Sequence, residues 1–218
     1  MPTFPNTFDE STHILVPTDL KASHAEHLIK LNMAGYDVVA GLRREDVPAL
    51  AEIAAQEGTR EYCPNDLKRR WGDEAMAEAK LAKAGGSGVL RLVSQKNGNT
   101  LGFGWTGHID DEDQEHLPMC ENIFALRLHE ASRGKRLGTT FSRVIVAGSM
   151  ALWGARNVGL ATWASNTPAV RTYLSAGAEL VTTKDDVRPT ILRGPGKFQY
   201  ENHRNDVRLY MQFPWSAK

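Results

Sequence analysis

The chain has 218 residues, with 26 Lys and Arg balanced by 26 Asp and Glu, and 41% of its residues are hydrophobic. This composition is that of a globular protein with a substantial core, and it excludes a mainly disordered chain. A formal net charge of zero provides no broad cationic surface to displace counterions from phosphate backbones, so we expect no nucleic-acid partner.

The sequence also predicts a cytoplasmic protein that does not enter a membrane. Its longest nearly apolar run, residues 144–155, is shorter than the roughly 20 residues that a membrane span needs. The first residues lack both the basic start and the apolar core of a signal peptide. Cys63 and Cys120 are interpreted as reduced thiols without metal-ligand spacing, and the pair His24 and His27 has no third ligand nearby, so we expect no metal.

The first part of the chain, residues 1–35, predicts an N-terminal extension. It begins with a Pro-rich arm in which residues 13–16 could form a short strand, and it ends with a helix over residues 18–35 that stops at a glycine. Residues 36–218 follow as one domain, since no repeat or long flexible linker divides them.

Alternating strands and helices are predicted along this domain. A strand at 37–42 and helices at 45–56 and 65–84 are followed by strands at 89–94, 100–109 and 122–128, a helix at 137–154, a strand at 158–163, a helix at 167–175, and strands at 179–183 and 207–213. Short connections make the three consecutive strands an antiparallel meander, in which the acidic run 110–115 is a hairpin loop. Residues 184–206 are predicted to form one long loop, a feature that is often functional.

A basic, glycine-containing loop leads from the third meander strand into the next helix, with the sequence Arg133-Gly134-Lys135-Arg136-Leu137-Gly138-Thr139. At such a junction, free backbone N–H groups and the positive end of the helix dipole favour a phosphate or pyrophosphate. The loop alone leaves open the alternative that Ser132 merely caps the helix and the basic side chains are solvated. It is not a P-loop, because His129 stands at the required first glycine and Arg136 at the required Ser or Thr.

A second pattern spans the following strand and helix. Asn166 is a good helix cap and Gly177 a good helix end, and between them Ala169 and Tyr173 lie three and seven residues after Asn166. Taken alone, Tyr173 is more simply interpreted as a half-buried packing residue.

Together, the two patterns resemble the GNAT superfamily of acyl-CoA-dependent N-acetyltransferases over about residues 36–213. The family loop Gln/Arg-x-x-Gly-x-Gly/Ala matches residues 133–138, except that Arg136 stands at its first glycine. The second family signature, an Asn, Ala, Tyr and Gly series, matches Asn166, Ala169, Tyr173 and Gly177. The resemblance implies an α+β fold, with a mixed, mostly antiparallel twisted sheet of six or seven strands flanked by helices and splayed at a central parallel pair.

The resemblance further implies acetyl-CoA as co-substrate in the gap of the splayed sheet. The pantetheine arm would pair with the third meander strand and the pyrophosphate would lie on the basic loop. The cofactor-binding residues implied in this way are Leu126, Arg127, Leu128, Arg133, Gly134, Lys135, Arg136, Leu137, Gly138, Thr139, Asn166 and Ala169. Arg136 either points away from the pyrophosphate or contacts a phosphate if the loop keeps the family's shape; otherwise it weakens cofactor binding.

By the same resemblance, an amine attacks the thioester directly in a ternary complex, and Tyr173 is the general acid that protonates the departing thiolate. The general base is less defined, because Ala161 stands where several family members carry a Glu. Glu121, at the start of the third meander strand, is the remaining candidate, with a solvated strand-end charge or a water chain as alternatives.

The acceptor is a small-molecule or protein amine that the sequence does not identify. The acidic run 110–115 could attract a cation, whereas the arginines of residues 184–206 could bind a carboxylate. A homodimer is compatible with the sequence. A second function class, a non-catalytic GNAT-fold module that binds CoA or a protein partner, is favoured by Arg136 and Ala161.

Overall fold

The computed structural model describes residues 12–57, 88–194 and 197–214, with the side chains of 54, 57 and 186–205 excepted. The strands are β1 His13–Ile14, β2 Tyr36–Ala40, β3 Gly88–Ser94, β4 Thr100–His108, β5 Asn122–Leu128, β6 Val158–Trp163, β7 Glu179–Gly194 and β8 Lys197–Gln212. The α-helices are α1 Ala22–Met33, α2 Val47–Glu57, α3 Asp111–His116, α4 Leu137–Trp153 and α5 Thr167–Ala176. The helix predicted at 65–84 lies outside the described residues.

The described strands form one mixed sheet of eight strands in the order β1-β2-β3-β4-β5-β6-β8-β7. Every neighbouring pair is antiparallel except β5 and β6, which run parallel and pair only at Asn122 with Val158 and Ile123 with Gly159. The predicted α+β fold, with a mostly antiparallel sheet and one parallel pair, is confirmed, although the sheet has eight strands where six or seven were expected.

The largest difference from the predicted elements lies in the segment predicted to be a loop. Residues 184–194 and 197–206 extend β7 and β8, which pair from Glu179 opposite Gln212 to Gly194 opposite Lys197 with two register shifts, so that prediction is wrong. Only the last part of β8 pairs with β6, so most of the hairpin extends past the neighbouring strand. Charged residues interrupt the apolar alternation in this segment, whereas the backbone hydrogen bonds of a two-stranded hairpin do not depend on that alternation.

Two smaller predictions also differ from the structure. The acidic run 110–115 is not a plain hairpin loop: Asp110 caps the short helix α3 by accepting a hydrogen bond from the backbone N–H of Asp113 at 2.9 Å. The first helix begins at Ala22 instead of residue 18, because Pro17–Asp19 form a separate 3-10 turn.

Helices cover both faces of the sheet. On one face, called the α4 face, α1, α4 and α5 pack over the main core, which includes Leu28, Leu92, Phe124, Phe141, Ile145, Leu160 and Phe213. On the other, called the α2 face, α2 packs on Val89 and Phe103, and a smaller cluster of Leu117, Cys120 and Tyr210 follows α3. Leu15, Leu28 and Leu31 lie in the main core, so the described part of the first 35 residues packs on the domain, while a boundary at residue 35 stays a prediction.

Candidate active site

The site is built around the gap that opens between β5 and β6. Beyond Ile123 and Gly159 the two parallel strands no longer pair, and each continues to the N-terminus of a helix, β5 to α4 and β6 to α5. The Leu126–Leu128 segment pairs with β4 along one edge, at Gly104 and Gly102. Its other edge faces the gap, where backbone N–H and C=O groups are available to an extended ligand.

Hydrogen bonds to β4 and β5 hold the basic loop at the mouth of the gap. Ser132 donates its hydroxyl hydrogen to the carbonyl oxygen of Leu101 at 2.9 Å or that of His129 at 2.7 Å, and Nε of Arg133 donates to the carbonyl oxygen of Leu128 at 2.9 Å. Ser132 therefore anchors the loop to β4, and the alternative in which it caps α4 is wrong. The N-cap of α4 is Arg136, which makes no side-chain capping hydrogen bond.

The backbone of this loop is left-handed at two positions, Gly134 with φ 75° and Arg136 with φ 60°. A Cβ on Gly134 would have no atom within 4 Å, so the space above it is open. Lys135 and Arg136 are exposed. Uncapped N–H groups at the start of α4, open space and cationic side chains together make a surface suited to a pyrophosphate.

Arg136 adopts the conformation that glycine favours, which supports a loop with the family's shape. Left-handed backbone costs a non-glycine residue about 1 kcal/mol. We therefore expect Arg136→Gly to be more stable than Arg136→Ala by about 1 kcal/mol, or roughly 2–4 °C in thermal unfolding for a chain of this size.

Both variants lose the same charge, so calorimetry should find CoA binding weakened equally, by about three- to tenfold, if the guanidinium contacts a phosphate. Wild-type affinity in both would mean that the side chain points away, and equal stability would contradict the left-handed backbone.

Helix α5 brings Tyr173 against β5 on the α4 face. Asn166 caps the helix by accepting a hydrogen bond from the N–H of Ala169 at 3.3 Å, and Gly177 ends it with φ 95°. Tyr173 is 8% exposed, and its ring meets that of Phe124 edge-on at 5.7 Å. The second sequence pattern therefore places a phenol beside the strand that borders the gap.

Glu121 lies away from this phenol. It is exposed, immediately before the paired residues Asn122 and Val158, at the end where β5 and β6 remain joined. Its carboxylate accepts a hydrogen bond from Asn157 at 3.5 Å, and its backbone N–H donates to the carbonyl of the same residue. Its role as general base stays a prediction.

Sequence reasoning missed a polar and aromatic cluster on the α2 face, beside β6. The rings of His116 and Tyr210 stack with their centroids 4.4 Å apart. Arg208 lies over the rings of Trp163 at 5.3 Å and Tyr210 at 5.7 Å, and its guanidinium is 3.7 Å from the carboxylate of Asp113. Burial raises the pKa of Asp113 and that of Tyr210, and the charge of Arg208 opposes both shifts. These residues come from α3, β6 and β8, and no local pattern in the sequence links the three elements.

The α2 face also supports the basic loop. The side-chain oxygen of Gln56, near the end of α2, accepts a hydrogen bond from the N–H of Glu130 at 3.0 Å, and its amide nitrogen is 2.9 Å from Nε2 of His129. Arg127 stacks over Trp105 at 5.5 Å. Trp105 and Trp163 thus line this face of the sheet.

Comparison with known proteins identifies the fold. No protein-family model matches the chain. A mycothiol acetyltransferase from Sanguibacter keddieii is 35% identical over 88 residues, a stretch that makes up 39% of this chain and only 27% of that relative.

Solved structures match nearly the whole domain. A GNAT-superfamily phosphinothricin acetyltransferase from Sinorhizobium meliloti in complex with AcCoA has a TM-score of 0.58 at 14% identity, covering 84% of this chain and 89% of its own. A GCN5-related N-acetyltransferase from Kribbella flavida has a TM-score of 0.57 at 18% identity, covering 84% and 99%. AAC(6')-Ib in complex with ribostamycin and coenzyme A has a TM-score of 0.56 at 17% identity, covering 81% and 92%. The chain therefore has the fold of the GNAT acetyltransferases, as the two sequence patterns implied.

The described part of the chain offers neither a membrane-spanning helix nor a metal-binding cluster. No helix there is long and apolar enough to cross a membrane. Among the same residues, no group of three or more His, Cys, Asp and Glu side chains could hold a metal ion.

Proposed function

We propose that this chain transfers an acetyl group from acetyl-CoA to a primary amine by direct attack in a ternary complex. The observation that carries the proposal is the continuous path from the uncapped, basic N-terminus of α4, along the free edge of β5, to Tyr173. Similar structures with the same fold hold acetyl-CoA or CoA. The co-substrate supplies the activated acetyl thioester.

The residues along this path fit the parts of that co-substrate in order. The open loop at Gly134, Lys135 and Arg136 suits a pyrophosphate, and the unpaired edge of residues 126–128 suits the amides of a pantetheine arm. Gly138 lies where α4 and α5 approach closely, because a Cβ there would be 3.1 Å from Thr172 and 3.2 Å from Leu128. The mouth of the gap is therefore bounded by α4, α5 and β5 together.

Direct attack is favoured over an acyl-cysteine route for the described residues. Cys120 is the cysteine they contain, and it is buried. Burial raises the pKa of its thiol to about 11. At pH 7 only about one molecule in ten thousand would carry the nucleophilic thiolate. The acceptor nitrogen itself is then the group that attacks the thioester.

Tyr173 is the general acid in this proposal. Its ring is fixed by Phe124 beside the bordering strand, so its hydroxyl can be held close to a leaving sulfur. A backbone N–H of β5 near Leu128 would stabilise the negative charge that develops on the thioester oxygen.

A second candidate is a non-catalytic module that binds CoA or a protein partner. The observation that favours it is the absence of a carboxylate at Ala161, together with the position of Glu121 at the closed end of the gap. On this alternative, the basic loop binds the nucleotide and no amine is acetylated.

Thiol release from acetyl-CoA, measured with a panel of amines beside CoA binding by calorimetry, separates the two candidates. The panel contains ribostamycin, phosphinothricin, a polyamine and a short peptide with a free N-terminus, because the similar structures include enzymes named for or bound to the first two. Acetyl transfer predicts amine-dependent thiol release and one acetylated product by mass spectrometry. CoA binding with no thiol release for any amine would favour the module. No CoA binding would contradict both acetyl transfer and a CoA-binding module.

A further inference from the structure

The cluster on the α2 face contains two buried polar atoms that make no hydrogen bond among the described residues. They are Nε2 of His116 and the hydroxyl of Tyr210, whose rings stack on each other. The guanidinium of Arg208 acts on the Tyr210 hydroxyl electrostatically, outside hydrogen-bond geometry. Tyr210 is 0% exposed. Buried polar groups are almost always hydrogen-bonded, so two neighbouring exceptions indicate a place where another polar group arrives.

This place adjoins the gap on the side opposite Tyr173. Tyr210 is in register with Ala161 of β6 and packs on it, and β6 forms one wall of the gap. Met211 and Leu209 of the same strand contact the main core on the α4 face, so the alternation of a strand puts Tyr210 on the α2 face. A phenol therefore lies on one side of the sheet and an imidazole on the other.

From this arrangement we infer that His116 accepts the proton that an acceptor ammonium must lose before it attacks, and that the Tyr210 hydroxyl binds the same nitrogen or a water beside it. The inference rests on the proposed function and adds its missing base. Imidazole is the side chain best suited to accept a proton near neutrality. The short side chain of Ala161 leaves the space that Tyr210 and its stacked partner occupy.

Among the described residues around this cluster, the neighbouring groups leave His116 as the proton acceptor. Asp113, one turn earlier on α3, is engaged by Arg208. The thiol of Cys120 stays protonated because burial raises its pKa to about 11. Glu121 is exposed to solvent and bonded to Asn157 at the closed end of the gap.

The proton transfers balance. The ammonium gives one proton to Nε2 of His116, and the neutral nitrogen forms a bond to the carbonyl carbon while the carbon–sulfur bond breaks. The sulfur takes the phenol proton of Tyr173. The second proton, lost by the nitrogen as it becomes an amide, restores the phenol, and His116 releases its proton to solvent. Nitrogen and sulfur are different substituents of the reacting carbon. A proton acceptor for the nitrogen and a proton donor for the sulfur on opposite sides of the sheet therefore suit the step.

The test is His116→Gln, with whichever amine of the panel the wild type acetylates. We expect kcat to fall about 10²- to 10⁴-fold near neutrality, with unchanged CoA affinity. The wild-type kcat should reach a plateau as the pH rises, whereas the variant should keep rising about tenfold per pH unit with the fraction of neutral amine. Added imidazole should restore part of the rate. His108→Gln, at the exposed end of β4, is the matched control and should keep the wild-type profile.

Tyr210→Phe gives a second test, because it keeps the ring stack and removes only the hydroxyl. It should raise KM for the amine several-fold and keep the plateau in kcat. A His116→Gln variant with wild-type kcat and an unchanged pH profile would overturn the inference while leaving the proposed function intact. A wild type that binds CoA but acetylates no amine overturns the proposed function, and the inference falls with it.

Discussion

Replacing Tyr173 with Phe is expected to lower kcat for amine acetylation about a hundredfold or more, while acetyl-CoA affinity stays within about threefold of wild type. The substitution keeps the ring and therefore its edge-on contact with Phe124. It removes only the hydroxyl that would protonate the departing sulfur. A free phenol is ordinarily a weaker acid than a thiol by about 1.5 pKa units, so the transfer is effective only when the protein holds the two groups in contact. Steady-state kinetics with the amine of the panel that the wild type acetylates measure kcat, and calorimetry measures the affinity for acetyl-CoA.

The matched control for this prediction is Tyr36→Phe. Tyr36 lies on β2 and packs against the same main core, but far along the sheet from the gap. It should lose a similar amount of stability and no turnover. Equal kcat for Tyr173→Phe and wild type would contradict the general-acid role. A parallel loss of affinity and turnover would instead assign Tyr173 a structural role in shaping the gap.

Local signals in the sequence were sufficient to predict the part of the candidate site that lies on the α4 face. Asn166 caps the start of α5 and Gly177 ends the helix. This helix places Tyr173 against β5. The glycines and basic residues of the loop likewise indicate that it lies at a strand-to-helix junction. Each of these features depends on residues within a few positions of one another.

The part of the candidate site on the α2 face depends on contacts between distant parts of the chain. His116 belongs to a short helix inside an acidic run that reads as a solvated turn, and Tyr210 belongs to a strand much later in the chain. The packing of α3 and the residues after it against β8 brings them together. The extension of β7 and β8 through residues 184–194 and 197–206 was not predicted for a related reason. Its backbone hydrogen bonds do not depend on side-chain alternation, and charged residues interrupt that alternation in the sequence.

Replacing Asp46 with Ala is expected to destabilise the fold by about 3–5 kcal/mol, because it leaves a buried guanidinium without its counter-charge. Asp46 is 8% exposed and forms an ion pair with Arg91, which is 4% exposed and also donates from Nε to the carbonyl of Gly41 at 3.2 Å. Burial lowers the pKa of Arg91 and the charge of Asp46 opposes that shift. For a chain of this size the expected fall in the midpoint of thermal unfolding is on the order of 10 °C.

The double variant Asp46→Ala, Arg91→Met separates the charge from the local turn. Replacing both partners of a buried ion pair by apolar side chains is often nearly neutral, so the double variant should regain most of the lost stability. Asp46 also accepts a hydrogen bond from the N–H of Arg43 at 2.9 Å, in the turn that begins α2. A double variant no more stable than Asp46→Ala would therefore assign the loss to this turn. Because α2 carries Gln56 to the basic loop, a defect in the turn should also weaken CoA binding, whereas a repaired charge with an intact turn should leave it unchanged.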